Sequence, residues 1–316
     1  LISNLLDPTI LCFLVGFLSG IARSDLRLPK TSYEFVSLYL LLAIGLKGGV
    51  ELSQTSFSSF VPALMGTIFI GVLIPILAFA ILFKIGRFTR HDSGAIAAHY
   101  GSVSAVTFAT AMTFLERQDV TFEPYMTALM VVLEIPAICL GIYLAKGGLS
   151  KVNDRRKLLR DIFFGKSLFL LGGGILIGYI SGPERMEPLN PLFVDLFKGF
   201  LALFLLELGI VTARQLSHLK SVGIFLFGFA IVMPIISGII GILVAYMANM
   251  SVGGATILGV LAASSSYIAA PSAMRIAVPE AKEVYYLSAS LGVTFPLNIT
   301  LGIPLFYTIS QFIYQL

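Results

Sequence analysis

Ala262-Ala-Ser-Ser-Ser-Tyr-Ile-Ala-Ala-Pro-Ser-Ala-Met274 is a run of hydroxyls and small residues set inside an apolar stretch and closed by Pro271. An earlier stretch, Tyr100-Gly-Ser-Val-Ser-Ala-Val-Thr-Phe-Ala-Thr-Ala-Met112, lies over it without gaps. Ser102 falls on Ser264, Ser104 on Ser266 and Thr110 on Ser272. Lipid cannot satisfy free N–H and C=O groups, so small polar residues at membrane depth mark broken backbone lining a cavity. Two such breaks, one in each half of a chain, are the sequence pointer to a transporter's binding site. Small residues also permit close helix packing, which is the plainer account of either stretch alone.

The rest of the chain agrees with a membrane setting. Of its 316 residues 57% are hydrophobic and only 12% charged, against about 25% charged in soluble domains. This is the composition of an all-α membrane protein. The net charge of +4 arises in short connectors, which argues for membrane orientation and against nucleic acid as a partner. Cys12 and Cys139 both lie in apolar runs, where a disulfide framework is not expected. The first apolar run follows Asp7-Pro8 without a basic leader, so it is expected to be a retained helix.

Apolar runs predict ten transmembrane helices, near 4–22, 33–50, 60–83, 93–115, 124–145, 166–181, 192–212, 222–247, 254–275 and 284–314. Pro296 and Pro304 predict that the last is kinked or ends on the surface. With the first span entering from outside, seventeen Lys and Arg fall in the cytoplasmic connectors. Only Lys47, Arg117 and Arg185 fall outside, with Lys198 inside the seventh span. That asymmetry predicts both termini outside.

A repeat runs through the chain. Gly16 and Gly20 match Gly174 and Gly178, Gly45 matches Gly209, and Tyr125 and Pro136 match Tyr285 and Pro296. Five spans per copy is an odd number, so the copies, 1–145 and 167–316, enter the membrane from opposite faces. The basic connector 146–166 joins them in the cytoplasm, as an orientation signal or as a contact for anionic lipid or a soluble regulator.

If spans 4 and 9 are broken, half-helices begin at the breaks with free N–H groups and positive dipole ends aimed at mid-membrane. Gly101, Ser102, Val103 and Ser104 in one break, with Ser264, Ser265, Ser266 and Tyr267 in the other, then form a candidate anion site. Glu134 lies within span 5 beside Pro136. A charge there costs about 3 kcal/mol or more on insertion scales, so it must face protein. It reads as a cation ligand or proton-linked carboxylate, or as the partner of Lys47 or Lys198. Its repeat counterparts, Thr294 and Asn298, offer uncharged oxygens. Glu207 is either a second coupling carboxylate or structural, Lys47 and Glu51 read as a surface i,i+4 pair, and His99 as a proton handle or a packing residue. No acid, base and nucleophile set, metal-ligand spacing or phosphate loop is present, so no enzyme and no cofactor is expected.

Five stretches together resemble the sodium-dependent bicarbonate transporter family, first associated with cyanobacterial carbon uptake. They are Ile44-Gly-Leu-Lys-Gly-Gly49, Gly101-Ser-Val-Ser-Ala-Val-Thr107, Glu134-Ile-Pro-Ala137, Ala262-Ala-Ser-Ser-Ser266 and Gly302-Ile-Pro-Leu305. The resemblance implies two inverted five-helix repeats with crossing broken spans 4 and 9. It implies a gate of spans 1, 2, 6 and 7 moving against a core of spans 3–5 and 8–10. It also implies a homotrimer in the bacterial inner membrane, sodium-coupled uptake of bicarbonate or a similar small anion, and a PII-like cytoplasmic regulator. Thr107, Glu134, Thr294 and Asn298 become candidates for the sodium site. This sequence departs from the cyanobacterial pattern at Tyr267, where an Asp follows the serine run. That departure keeps a proton-coupled exchanger or an organic-anion carrier on a related fold open as the alternative.

Overall fold

A computed structural model describes residues 5–55, 57–148, 160, 164–216 and 222–315. Most of the predicted 146–166 connector therefore lies outside the described residues. Among those described the chain is helical, with no strand. The helices are α1 (Pro8–Ile21), α2 (Lys30–Ser53), α3 (Phe57–Ala80), α4 (Arg90–Gly101), α5 (Ala105–Arg117) and α6 (Met126–Lys146). They continue with α7 (Lys166–Met186), α8 (Phe197–Leu216), α9 (Ile224–Met247), α10 (Val252–Ala263), α11 (Ala269–Ala277) and α12 (Glu283–Ile313). Six of the described helical segments are long and apolar enough to cross a bilayer, and α1 and α10 are shorter apolar helices.

Local chemistry sets the ends. Asp7 caps α1, accepting from the Thr9 N–H at 2.8 Å, and Pro8 takes the first helical position, where a missing N–H costs nothing. Thr89 caps α4 by accepting from the Asp92 N–H at 3.1 Å, and Ser251 caps α10 through the Gly254 N–H at 3.1 Å. Rather than ending early, α12 runs on to Ile313. Wide π turns at Ser288–Thr294 and Asn298–Gly302 precede Pro296's half-turn and Pro304, absorbing the hydrogen bonds those prolines cannot make.

Packing divides by glycine. α1 lies on α8, and α2 lies on α7. At each seam a glycine lets two backbones touch. A Cβ on Gly209 would stand 2.2 Å from the Phe13 carbonyl oxygen, and one on Gly45 would stand 2.7 Å from that of Leu171. Gly16 and Gly174 sit in the same two seams, against Leu206 and against Gly45 and Leu46. The matched glycines thus share one packing role. The remaining helices gather separately: α3, α4 and α6 pack together, as do α9, α10 and the end of α12.

A side chain at Gly209 has backbone on the other side and nowhere to go. Gly209→Val is expected to destabilise the fold by about 1–3 kcal/mol. A lowered melting temperature in detergent, read by size-exclusion chromatography after heating, checks this. An unchanged melt would show that the α1–α8 seam can part.

Candidate functional site

Helix α4 stops at Gly101 because the next residues turn extended, with Ser102 at φ −90°, ψ 173° and Ser104 at φ −113°, ψ 109°. Gly101 holds this break close to its neighbours: a Cβ there would meet the Pro75 ring at 2.2 Å and Ala137 at 2.9 Å. Helix α10 stops at Ala263 in the same way, with Ser264 at φ −78°, ψ 169°. Helix α11 resumes at Ala269, and Pro271 falls within its first turn.

The two breaks are bonded to each other. The Ser104 N–H donates to Ser264 Oγ at 3.1 Å, and the Ser266 N–H donates to the His99 carbonyl at 2.9 Å. Ser264 Oγ in turn donates to the Leu261 carbonyl at 2.8 Å. The last serine of each break then caps the half-helix that follows. Ser104 Oγ accepts from the Thr107 N–H at 3.1 Å and the Thr107 hydroxyl at 2.9 Å, and Ser266 Oγ accepts from the Ala270 N–H at 3.1 Å. The free N–H groups of a half-helix are thus partly satisfied by its own serine.

The pairing is not quite symmetric. Ser264 is bonded at both lone pair and proton, whereas its counterpart Ser102 has a buried hydroxyl with no protein partner. Ser265 Oγ and Asn298 Oδ1 are also buried and unpartnered. Buried polar atoms ordinarily find a partner, and leaving one bare costs about 1–3 kcal/mol. Bare hydroxyls within unwound backbone are therefore open positions for a polar ligand.

Glu134 on α6 is only 4% exposed and faces these breaks. Together with Val103, Ser104, Ser266 and Tyr267 it lines a cavity of about 20 Å³, closed on the far side by Ser167 and Leu171 of α7. That volume holds roughly one water-sized occupant. Tyr267 forms part of this lining. Its hydroxyl accepts from Ser104 Oγ at 3.1 Å and its ring stands edge-on to Phe295 at 5.1 Å.

Other candidates are placed elsewhere. Thr294 Oγ1 donates to the Ala230 carbonyl at 2.7 Å and lies 2.7 Å from the Tyr100 hydroxyl, away from the central cavity. Asn298 donates to the Ala263 carbonyl at 2.8 Å, tying off the buried C-terminal end of α10. His99 is bonded through Nδ1 to the Ala95 carbonyl at 2.7 Å and stacked on Tyr286, while its Nε2 is buried without a partner among the described residues. Glu207 accepts from the Leu28 N–H at 2.8 Å and so holds the α1–α2 connector.

Two sequence expectations are corrected. Lys47 does not pair with Glu51 but with Glu116 at 3.1 Å, and Lys198 pairs with the other oxygen of Glu116, also at 3.1 Å. Neither lysine is therefore the partner of Glu134. Arg117, the next residue, pairs at 2.5 Å with the buried Asp7. Sequence reading did not anticipate these ties, nor Ser167 beside the cavity. Asp7 carried a visible signal, the cap-then-proline start of a helix.

A helical membrane bundle with two hydroxyl-lined breaks meeting beside a buried carboxylate has the build of a membrane transporter. The family model of the Na+-dependent bicarbonate transporter superfamily matches residues 8–311, and the chain belongs to that family. It is a family of transporters, not enzymes. No curated protein matches the chain.

Proposed function

We propose that the chain takes up bicarbonate together with sodium by alternating access, with the paired breaks as the site. The observation that carries this is the cavity in which Glu134 closes on Ser104, Ser266 and Tyr267 between two unwound segments bonded to each other. A carboxylate among hydroxyl oxygens in about 20 Å³ suits a bare sodium ion and excludes a four-heavy-atom anion. Bicarbonate instead takes the positions beside it as the breaks part. There the Ser102 and Ser265 hydroxyls are unpartnered, and the N-termini of α5 and α11 present their positive dipole ends. The cation supplies the charge that lets the anion enter, which couples the two. Thr107 acts through Ser104, and Asn298 by holding the end of α10.

On this reading the twelve helices are ten spans, α4–α5 and α10–α11 being the broken, crossing ones. The two halves, 1–145 and 167–316, are inverted repeats. The reciprocal seams support this, since Gly45 meets Leu171 just as its match Gly209 meets Phe13. Helices α1, α2, α7 and α8 form the gate and the others the core. The ion pairs between described residues support the alternation of faces, since none joins opposite ends of the bundle; termini outside rests on the asymmetry of Lys and Arg. Homotrimer formation in a bacterial inner membrane and a PII-like regulator follow from the family resemblance alone.

The direct test is uptake of radiolabelled bicarbonate by proteoliposomes holding the full chain. Uptake is expected with an inward sodium gradient and to fall to background with potassium in its place. Uptake driven equally by a pH gradient without sodium would sink the sodium coupling.

A further inference from the structure

The paired lysines on Glu116 lie in a second, larger cavity. Its volume is about 290 Å³, and its polar lining is Lys47, Thr113, Glu116, Asp195 and Lys198. It sits between α2, α5 and the segment leading into α8, at the end of the bundle that also carries Asp7 and Arg117. Ile44 lines this cavity and also a void of about 10 Å³ deeper in. That void shares Leu41, Ala105 and Ile268 with the central cavity beside Glu134. The three spaces follow one another along α5, the outermost wide and charged and the middle one small and apolar.

Two details of the mouth point to a ligand. Lys47 and Lys198 each hold a different oxygen of the Glu116 carboxylate, both at 3.1 Å. Bicarbonate carries the same planar O–C–O group with the same spread of charge. The ion pairs are also well wetted, with side-chain exposures of 36% for Lys47 and Glu116 and 55% for Lys198. Pairs so exposed are weak and exchangeable, worth about 0–1 kcal/mol. Glu116 is thus a tethered occupant that a free carboxylate-like anion can displace.

We propose that Lys47 and Lys198 form an entry site for bicarbonate at the outer mouth, where the ion takes the place of the Glu116 carboxylate. The exchange also unfastens α5 of the core from α2 and α8 of the gate, so arrival of substrate loosens the outer closure. Asp195 on the same wall opposes retention, so the anion is held briefly and passed on. This rests on the proposed transport reading for its direction, but the entry site itself can be examined without any transport.

The test uses the full chain in cells or right-side-out vesicles, with Cys12→Ser, Cys139→Ala and Val194→Cys, since Val194 lines this cavity and is 46% exposed. An impermeant anionic thiol reagent is added outside. Bicarbonate is expected to slow labelling in the parent. It is expected to slow it about threefold more strongly in Glu116→Gln, and not at all in Lys47→Gln/Lys198→Gln. Slowing no greater than that by chloride, or undiminished after loss of both lysines, would overturn the entry site even where uptake is intact. Lost uptake with protection preserved would instead count against the central site alone. Uptake gives a second reading: Glu116→Gln is expected to lower the KM for bicarbonate about threefold and each lysine change to raise it about threefold. A shift in the same direction in all three variants would overturn the exchange.

Discussion

Replacing Glu134 with glutamine is expected to cut sodium-driven bicarbonate uptake by about a hundredfold while leaving the bundle folded. Glutamine keeps the shape of the side chain and one carbonyl oxygen but removes the charge. The carboxylate is 4% exposed, and neither of the lysines that could have neutralised it reaches it. Among the described residues no cation pairs with Glu134, so a sodium ion beside it supplies the opposite charge. Removing one member of such a buried pair costs about 3 kcal/mol, which is about two orders of magnitude in affinity. The sodium dependence of uptake reads the effect, and an unchanged melting temperature separates it from misfolding. Wild-type sodium dependence in Glu134→Gln would remove the carboxylate from the coupling site.

The second large effect separates two adjacent serines. Ser264→Ala deletes the acceptor of the Ser104 N–H and so strands a buried donor. This is expected to cost about 1–3 kcal/mol of stability and to free one of the three ties between the breaks. Ser265→Ala deletes a hydroxyl that has no partner among the described residues. It is expected to melt at the wild-type temperature while the KM for bicarbonate rises about tenfold, the weight of one hydrogen bond to a charged group. Side-by-side melts and uptake curves decide it. The reverse pattern would mean that Ser264 faces the ligand and Ser265 supports the fold.

Both breaks were legible in the sequence to within a residue or two. Unwound backbone at membrane depth favours small and hydroxyl residues, and Gly101, Ser102 and Ser104 in one break and Ser264, Ser265 and Ser266 ahead of Pro271 in the other stand out against an apolar background. The matched glycines were legible for a related reason, because close backbone approach tolerates no other side chain at Gly45 and Gly209. What escaped was pairing across the fold. Lys47 has Glu51 one turn away, and local spacing favours that partner, but tertiary packing brings α5 alongside and Glu116 takes both lysines. Glu207 shows the same failing: the Leu28 N–H that holds it lies on another helix connector, and nothing in either local sequence says so. The size of the central cavity was also hidden, since it is set by side chains from α2, α6, α7 and both breaks that no local stretch brings together.

The seams of α1 on α8 and α2 on α7 have a bearing on motion. Where main chain rests on main chain, as at Gly16, Gly45, Gly174 and Gly209, there are no flexible tips to give way. On the proposed mechanism these four helices serve as the stator. The travel left to the molecule is then borne where side chains intervene, at the contact of Gly48 with the Thr127 side chain and at the Glu116 tie. Cross-links placed within the stator should leave turnover untouched, and a single one bridging α2 to α6 should stop it.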